Sequence, residues 1–274
     1  MLTSSGPARS GFLFVPKLRL INTLLVALFL LAATTHADEV RVLSSGSFTE
    51  ASHEFVPAFE RAGSGSNKVV IAFGGSMGHS PTSIPGRVER GEPVDVVIVA
   101  TSTFDDLVKE GKIVPNTKVE LASSKIGMVV RAGAPKPDIS SVEALKATLL
   151  KAKSIAISDG ASGVYLSTEM FKRLGVYDQA MAKRAKTEGG PVATVVARGN
   201  AEIGFEQISE LLPVPGVTFV GPLPSEVQKV TTFSAGIVVG AKHPDAGRAL
   251  IKFLASPAAA PMLKKTGLEP MKAQ

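Results

Sequence analysis

Three short segments rich in serine and glycine have the composition of anion-binding loops. Each follows an apolar run that predicts a strand. They are Ser44, Ser45 and Gly46, then Gly75, Ser76, Met77 and Gly78, and finally Ala161, Ser162 and Gly163. Small residues let the backbone approach an oxyanion, serine hydroxyls add donors, and a helix that starts there adds unpaired N–H groups. Any one serine could simply cap a helix, but three such loops at equivalent strand ends indicate a site for a small anion.

Titratable side chains near these loops are the candidates for acid–base chemistry. His79 lies in a glycine- and proline-rich insert at residues 74–85 and could carry a proton near neutral pH, although a surface position would also explain it. Tyr165 lies one turn into the helix predicted after the third loop. Glu206 and Gln207 are expected just past a strand end. The residues alone do not rank His79, Tyr165 and Glu206 securely as the base, and His79 is slightly preferred.

Two arginines have positions that a helix or a ligand could explain. Arg87 follows the insert and is the candidate for binding a carboxylate, because a guanidinium group can donate two parallel hydrogen bonds to it. A solvated surface arginine is the alternative. Arg198 precedes a glycine at a predicted helix end, where a cation meets the helix dipole favourably, and is interpreted as structural.

The composition excludes several classes of function. The chain has no cysteine, and therefore no disulfide, thiolate metal site or cysteine nucleophile. Its four histidines are not spaced as metal ligands, and it has no Ser-His-Asp order, phosphate-binding P-loop or dinucleotide fingerprint. We therefore expect no metal and no cofactor. The net charge of +6 includes three basic residues near the N-terminus, so the rest of the chain is not basic enough to imply nucleic acid.

The first 37 residues have the pattern of a secretory signal peptide. Three basic residues precede an apolar run at 20–33, and a small-x-small triplet ends at Ala37. The apolar run is shorter than the roughly 18 residues of a membrane span, which leaves a retained anchor as the weaker alternative. The sequence predicts cleavage after Ala37 and a periplasmic protein.

Apolar runs and amphipathic stretches alternate from Val40 onward, which is typical of βαβ units around a parallel sheet. Strands are expected at 40–43, 69–73, 96–99, 126–130, 154–158, 201–205, 217–220 and 230–239. Helices are expected at 47–62, at 102–111, from 141, and at 164–174, 192–197, 243–255 and 257–266. The continuous apolar runs at 69–73 and 96–99 predict strands that are covered on both faces.

A spacer at Gly133 to Pro137 separates two groups of these elements. If the last helices rejoin the first group, the backbone crosses between the groups near 122–125 and again near 228–232. We therefore expect one lobe formed by 38–123 with 230–274 and a second lobe formed by 124–229, hinged around a cleft.

Six stretches of the chain resemble the periplasmic molybdate-binding-like family of type II solute-binding proteins. They are VLSSGS from residue 42, RGEPVDVVIV from 90, VVRAGAPKPDI from 129, VARGNAEIGFEQISELLPVPGV from 196, SAGIVVGAKHP from 234 and FLASPAAAPMLKKTGLEP from 253. The resemblance covers nearly all of the chain after the signal peptide. It implies an α/β, two-lobed type II periplasmic-binding-protein fold, with a ligand cleft between lobes that two hinge strands join.

Two departures from the molybdate binders of that family favour a larger ligand. Gln207 stands where those proteins have a tyrosine that donates to the oxyanion, and the loop after the second strand is longer here. This loop and the stretch SDGASGVYLS from residue 158 are similar to the aconitate isomerase subfamily. The matching positions are Ser76, Met77, Gly78, Pro81, Ile84, Pro85 and Arg87, followed by Ser162, Gly163, Val164 and Tyr165.

The second resemblance implies a periplasmic isomerase that interconverts trans- and cis-aconitate by moving a proton across an allylic system without a cofactor. The three loops, Arg87 and Gln207 would bind the tricarboxylate, and His79, Tyr165 or Glu206 would act as the base. The alternative is the substrate-binding subunit of an ABC importer for molybdate, tungstate or a small carboxylate, with an ABC permease as its partner. Neither function involves nucleic acid, and we expect a monomer.

Overall fold

A computed structural model describes Gly6 and residues 38–63, 67–187 and 190–272. The signal-peptide prediction falls on residues 1–37, which lie outside these ranges except for Gly6, and it stays a prediction. The described residues from 38 onward belong to one compact unit. In these ranges, no helix is long and apolar enough to cross a membrane.

Strands and helices alternate along the described chain. The strands are β1 (Asp38–Ser45), β2 (Asn67–Gly74), β3 (Val96–Ala100), β4 (Val119–Ser124), β5 (Ile126–Arg131), β6 (Ile155–Ile157), β7 (Ile203–Gln207), β8 (Val217–Pro222), β9 (Thr231–Ile237) and β10 (Glu269–Pro270). The helices are α1 (Thr49–Ala62), α2 (Ile84–Glu89), α3 (Thr101–Lys109), α4 (Val142–Lys151), α5 (Ala161–Tyr165), α6 (Phe171–Arg173), α7 (Tyr177–Ala182), α8 (Val192–Ala197), α9 (Ile208–Leu211), α10 (Pro244–Leu254) and α11 (Ala260–Lys265). A 3-10 turn at Gly46–Phe48 precedes α1, and a π-helical turn at Leu166–Met170 joins α5 to α6.

The first sheet has the strand order β10-β4-β9-β3-β1-β2. β1 is parallel to β2 and β3, whereas β9 is antiparallel to β3 and β4. Phe48, Ala51, Phe55 and Phe59 recur at helical spacing in the segment predicted as a helix, and all four are buried in one apolar cluster with the sheet. The helical period of these residues therefore predicts the packing of α1 correctly.

The second sheet has the order β6-β7-β5-β8, and β5 is antiparallel to both of its neighbours. Both sheets are therefore mixed. The parallel pairs β1–β2, β1–β3 and β6–β7 agree with the expected βαβ units, whereas β5 and β9 are antiparallel to their neighbours. The reason is that β5 and β9 begin where the chain crosses from one sheet to the other. Each of them enters a sheet at the edge where the parallel strands end, because Ile126 pairs with Gln207 and Phe233 pairs with Ala100.

The two sheets divide the chain into two discontinuous parts. The first sheet uses residues 38–124 and 231–270, and the second uses residues 126–222. We call each sheet with its attached helices a lobe, the first and the second. The lobe boundaries given above from the sequence stay a prediction.

Some predicted element properties differ from those observed. β2 is an edge strand with Val70 49% exposed, so it is not covered on both faces. The helix expected from Ser102 begins at Thr101 without a side-chain cap, and the helix expected from Val164 already begins at Ala161. These differences shift the start of each helix toward the strand that precedes it, so the loops at the strand ends are short.

Candidate functional site

The loops of the first lobe lie side by side at the edge next to the lobe crossing. β1, β2 and β3 run in the same direction, and Ser45 pairs with Gly74 while Ser44 pairs with Ile98. The first two serine- and glycine-rich segments therefore leave the sheet at one edge. β9 enters the sheet at this edge directly after the crossing from the second lobe.

The corresponding edge of the second lobe also borders the crossing. β6 and β7 are parallel, with Ile157 paired to Phe205, and β5 enters opposite Gln207. Ser158 and the start of α5 follow β6. Glu206 and Gln207 were expected just past a strand end, but they are the last two residues of β7 itself. Loops from both lobes thus approach the crossing, although their convergence on a shared anion pocket stays a prediction.

A direct hydrogen bond joins the lobes at these edges. Ser47 of the first lobe donates from its hydroxyl to Oε1 of Glu210, in α9, over 2.7 Å. Gly46 permits this approach, since a Cβ atom at residue 46 would lie 2.8 Å from Oε2 of Glu210. Neither Ser47 nor Glu210 is among the candidates that the sequence offers, and the only signal for Glu210 is its spacing of four residues from Glu206.

Glu206 is a buried carboxyl group at the end of β7, and only 3% of the residue is exposed. Its Oε2 accepts a hydrogen bond of 3.1 Å from the backbone N–H of Val192, at the start of α8. Burial raises the pKa of Glu206 well above its ordinary range, the nearby Glu210 raises it further, and the Val192 N–H opposes both effects. A carboxyl group with such a pKa can both accept and donate a proton.

Glu210 is in a similar electrostatic situation. Burial raises its pKa, and the hydrogen bond from Ser47 opposes that increase because it favours the ionised carboxylate. Two carboxyl groups that interact in this way share their protons as a pair.

Three buried polar atoms at or just after the ends of β2 and β7 have no hydrogen-bond partner among the described residues. They are Ser76 Oγ, Gln207 Oε1 and Ser209 Oγ. Buried polar groups are nearly always hydrogen-bonded, so these three atoms are candidates for hydrogen bonds to a ligand or to water. Two of them, Ser76 and Gln207, were selected from the sequence as ligand-binding residues, whereas Ser209 was missed.

The insert after β2 is a compact turn that holds Ser76 and its neighbours. Ser83 caps α2 by accepting the Gly86 N–H, and its hydroxyl also donates to the carbonyl of Gly78 over 2.8 Å. Gly78 has a φ of 75°, which an L-residue rarely adopts. Met77 is half-buried, whereas Gly75 is exposed and accepts the Ile84 N–H over 2.9 Å.

The other loop serines are partly engaged by the protein itself. Ser45 Oγ accepts the Ser47 N–H at 3.4 Å, so the helix-cap alternative describes Ser45. Ser44 donates to the carbonyl of Ser45. Ser162 is buried, its hydroxyl lies 3.1 Å from that of Ser158, and the carbonyl of Gly163 accepts a hydrogen bond from Ser167. Val164, the next residue, is half-buried.

Arg87 is engaged within the first lobe. Its Nε and Nη2 donate to the two carboxylate oxygens of Glu92 over 2.7 and 2.5 Å, and Nη1 donates to the Phe73 carbonyl over 3.3 Å. The side chain is 18% exposed. The surface alternative therefore does not describe Arg87. In this structure its two parallel hydrogen bonds go to Glu92, and its role in binding a carboxylate ligand stays a prediction.

His79 and Tyr165 are also less suitable as bases than Glu206. The His79 side chain is 67% exposed and lies 3.4 Å from Glu89. The Tyr165 hydroxyl donates to the Val227 carbonyl over 2.9 Å, and Lys229 lies 4.9 Å from the centre of its ring. Tyr165 therefore helps to hold the segment that leads into β9. In the described part of the chain, no three histidine or carboxylate side chains are grouped so that they could hold a metal ion.

Two α/β lobes with polar loops near the place where the chain crosses between them are the architecture of solute-binding proteins. The chain belongs to the bacterial extracellular solute-binding protein family, whose model matches residues 40–269. It is 45% identical, over 260 residues, to an aconitate isomerase from a Pseudomonas species, an alignment that covers 95% of this chain and 98% of that protein. Both resemblances drawn from the sequence motifs are thereby confirmed.

Solved structures of solute-binding proteins share the fold. The periplasmic molybdate-binding protein of Azotobacter vinelandii matches with a TM-score of 0.67 and 18% identity, over 84% of this chain and 98% of that one. The sulfate-binding protein of Mycobacterium tuberculosis matches with a TM-score of 0.65 and 17% identity, over 85% and 87% of the two chains. Such similarities establish the two-lobed periplasmic-binding-protein fold.

Proposed function

We propose that this protein is an aconitate isomerase that interconverts trans- and cis-aconitate by a proton transfer that needs no cofactor. The observation that carries the proposal is the 45% identity to an aconitate isomerase along almost the whole of both chains. The buried carboxyl group of Glu206 at the lobe crossing supports it, because proton transfer to and from carbon needs a sheltered base.

The proposed reaction moves one double bond within aconitate. Glu206 takes a proton from the methylene carbon, and the electron pair of the broken C–H bond forms a new double bond to the central carbon. The electron pair of the original double bond then takes the proton from Glu206 at the far carbon, which regenerates the carboxylate. Because burial raises the pKa of Glu206, it is a stronger base than an exposed glutamate.

The substrate's carboxylates require hydrogen-bond donors and little bulk. In this proposal, the hydroxyls of Ser76 and Ser209 supply donors on the two sides of the crossing, and the α5 N-terminus at Ser162 supplies backbone N–H groups. Donors arranged in this way also stabilise the negative charge that spreads over the substrate when the proton leaves. The signal-peptide pattern and the family further support a periplasmic location after cleavage behind Ala37.

The direct test measures turnover. Protein produced from the full chain is mixed with trans-aconitate, and cis-aconitate is followed by chromatography or proton NMR. Glu206→Gln should lower kcat by about 100-fold or more, as expected when an acid–base group is lost. Glu120→Gln, at an exposed position of β4, is the matched control and should leave kcat unchanged.

The second candidate is the substrate-binding subunit of an ABC importer, which the family match favours. It predicts no turnover, together with a thermal stabilisation by molybdate, tungstate or a small carboxylate. Absence of cis-aconitate in the first test and stabilisation by molybdate in the second would overturn the isomerase proposal.

A further inference from the structure

Glu210 connects the candidate base to the opposite lobe. It lies in α9, directly after the strand that ends with Glu206 and Gln207, yet its hydrogen bond goes to Ser47 of the first lobe over 2.7 Å. The absent side chain of Gly46 leaves room for its second oxygen. The hydrogen bond therefore joins two elements that belong to different lobes.

Among the described residues, each of the two carboxyl groups accepts a hydrogen bond from one donor. The Val192 N–H stabilises the charged form of Glu206, and the Ser47 hydroxyl stabilises the charged form of Glu210. Like charges in a poorly solvated place repel each other, so one proton is favourably shared between the two groups. A donor that stabilises charge on Glu210 moves this proton toward Glu206.

We infer that Glu210 is a positioning residue for Glu206: through its hydrogen bond to Ser47 of the first lobe, it sets how much of the shared proton Glu206 holds. The consequence of this link for catalysis rests on the proposed isomerase function. Ser47 stabilises the negative charge on Glu210, and Glu206 becomes the more basic group. Without the Ser47 hydroxyl, this advantage of Glu206 decreases.

The charged groups on neighbouring elements do not replace Glu210 in this role. On α1, Glu50 pairs with His53 at 3.5 Å, and Glu54 pairs with Lys265. Lys125, whose carbonyl accepts the Ile208 N–H, has an exposed side chain. α8 contains no titratable residue. Of these groups, only Glu210 acts on Glu206 through its charge.

The test is a titration of Glu206 that needs no substrate. The full chain is labelled with glutamate carrying ¹³C at the side-chain carboxyl carbon, and the Glu206 signal is assigned by its loss in Glu206→Gln. Its titration midpoint should move to lower pH in Glu210→Gln, because the neighbouring charge is gone. It should move in the same direction in Ser47→Ala, because the shared proton then favours Glu210. Ser52→Ala removes a comparable buried hydroxyl in α1, which donates to the Thr49 carbonyl, and should leave the midpoint unchanged.

The kinetic readout follows from the same titration. The acid limb of kcat/KM for trans-aconitate should move to lower pH in Glu210→Gln and Ser47→Ala, and kcat at neutral pH should fall roughly tenfold because the base is weaker. Midpoints that do not move in either variant, or that move equally in Ser52→Ala, overturn the inference even if the protein is active. Midpoints that move as expected in a protein without turnover support the linkage and reject the isomerase function.

Discussion

Gly163 is the residue at which the loop after β6 packs most closely against α5. A Cβ atom at residue 163 would lie 1.7 Å from the carbonyl oxygen of Ser158 and 2.6 Å from its carbonyl carbon. Both are backbone atoms, so no side-chain rotation can relieve the clash. We therefore predict that Gly163→Ala displaces the loop and the helix that carries Ser162.

The size of this effect follows from the distances. Because non-bonded heavy atoms pack at about 3.5 Å, the two segments would have to separate by roughly 1.5 Å or more. Overpacking that moves backbone should destabilise the fold by about 3 kcal/mol. A displacement of this size at substrate-binding groups should also lower kcat/KM by about 100-fold.

Gly160→Ala is the matched control in the same loop. Its Cβ would meet nothing closer than the Ser158 hydroxyl at 3.6 Å, and its φ of −82° suits alanine. This variant should keep its activity and gain about 0.4–1 kcal/mol of stability, because alanine restricts the unfolded chain.

Chemical unfolding and isomerase kinetics on the two variants check the prediction. If Gly163→Ala unfolds at the same denaturant concentration as Gly160→Ala and turns over trans-aconitate equally well, the packing of this loop does not position the site.

Four further predictions concern other parts of the site and fold. Ser76→Ala removes a buried hydroxyl that has no partner among the described residues, so it should stabilise the free protein by roughly 1 kcal/mol in thermal unfolding. The same change should weaken aconitate binding about fivefold in calorimetry, and tighter binding would contradict a ligand role for Ser76. Asp95→Ala leaves three backbone N–H groups without their acceptor, which should lower the free energy of unfolding by roughly 3 kcal/mol or more; a loss below that of an exposed Asp→Ala change would refute it. The hydrogen bond from Arg87 lowers the pKa of Glu92, so this pair stabilises the fold at neutral pH, and the stabilisation is lost as the pH falls through that pKa. In denaturant unfolding at neutral pH and at a pH below that pKa, Glu92→Gln should be less stable than the parent at neutral pH alone. Burial raises the pKa of Glu206, so its charged form is unfavourable in the folded protein. The free energy of unfolding of Glu206→Gln should therefore exceed that of the parent by an amount that grows as the pH rises, and a difference that stays constant with pH would contradict this reasoning.

The elements that depend on local patterns could be predicted from the sequence. Phe48, Phe55 and Phe59 recur with the period of a helix, and all three are buried in the same apolar cluster. The continuous apolar run at 96–99 becomes the buried strand β3. Gly111 and Gly175 end helices with positive φ, as glycine allows. Ser76 and Gln207 were selected from composition and motif, and both carry an unpaired buried atom.

Pairings between distant residues could not be predicted in this way. Ser47 and Glu210 are 163 positions apart, and no local period connects them. The direction of β5 and β9 depends on where the chain crosses between sheets, which the composition of either strand does not record. The residues next to Arg87 in the sequence do not indicate whether its guanidinium group binds a ligand, solvent or Glu92, and only the structure shows the bond to Glu92.

By itself, the sequence determined the class of fold and the family, because periodicity, turn residues and motifs are properties of short stretches. It also predicted the strand ends at which we expect ligands to bind. Only the tertiary structure decided which carboxyl group is buried, which arginine is already paired, and that Glu210 reaches across to Ser47. Burial and charge pairing arise when remote parts of the chain exclude water from one place, and that arrangement exists only in the folded molecule.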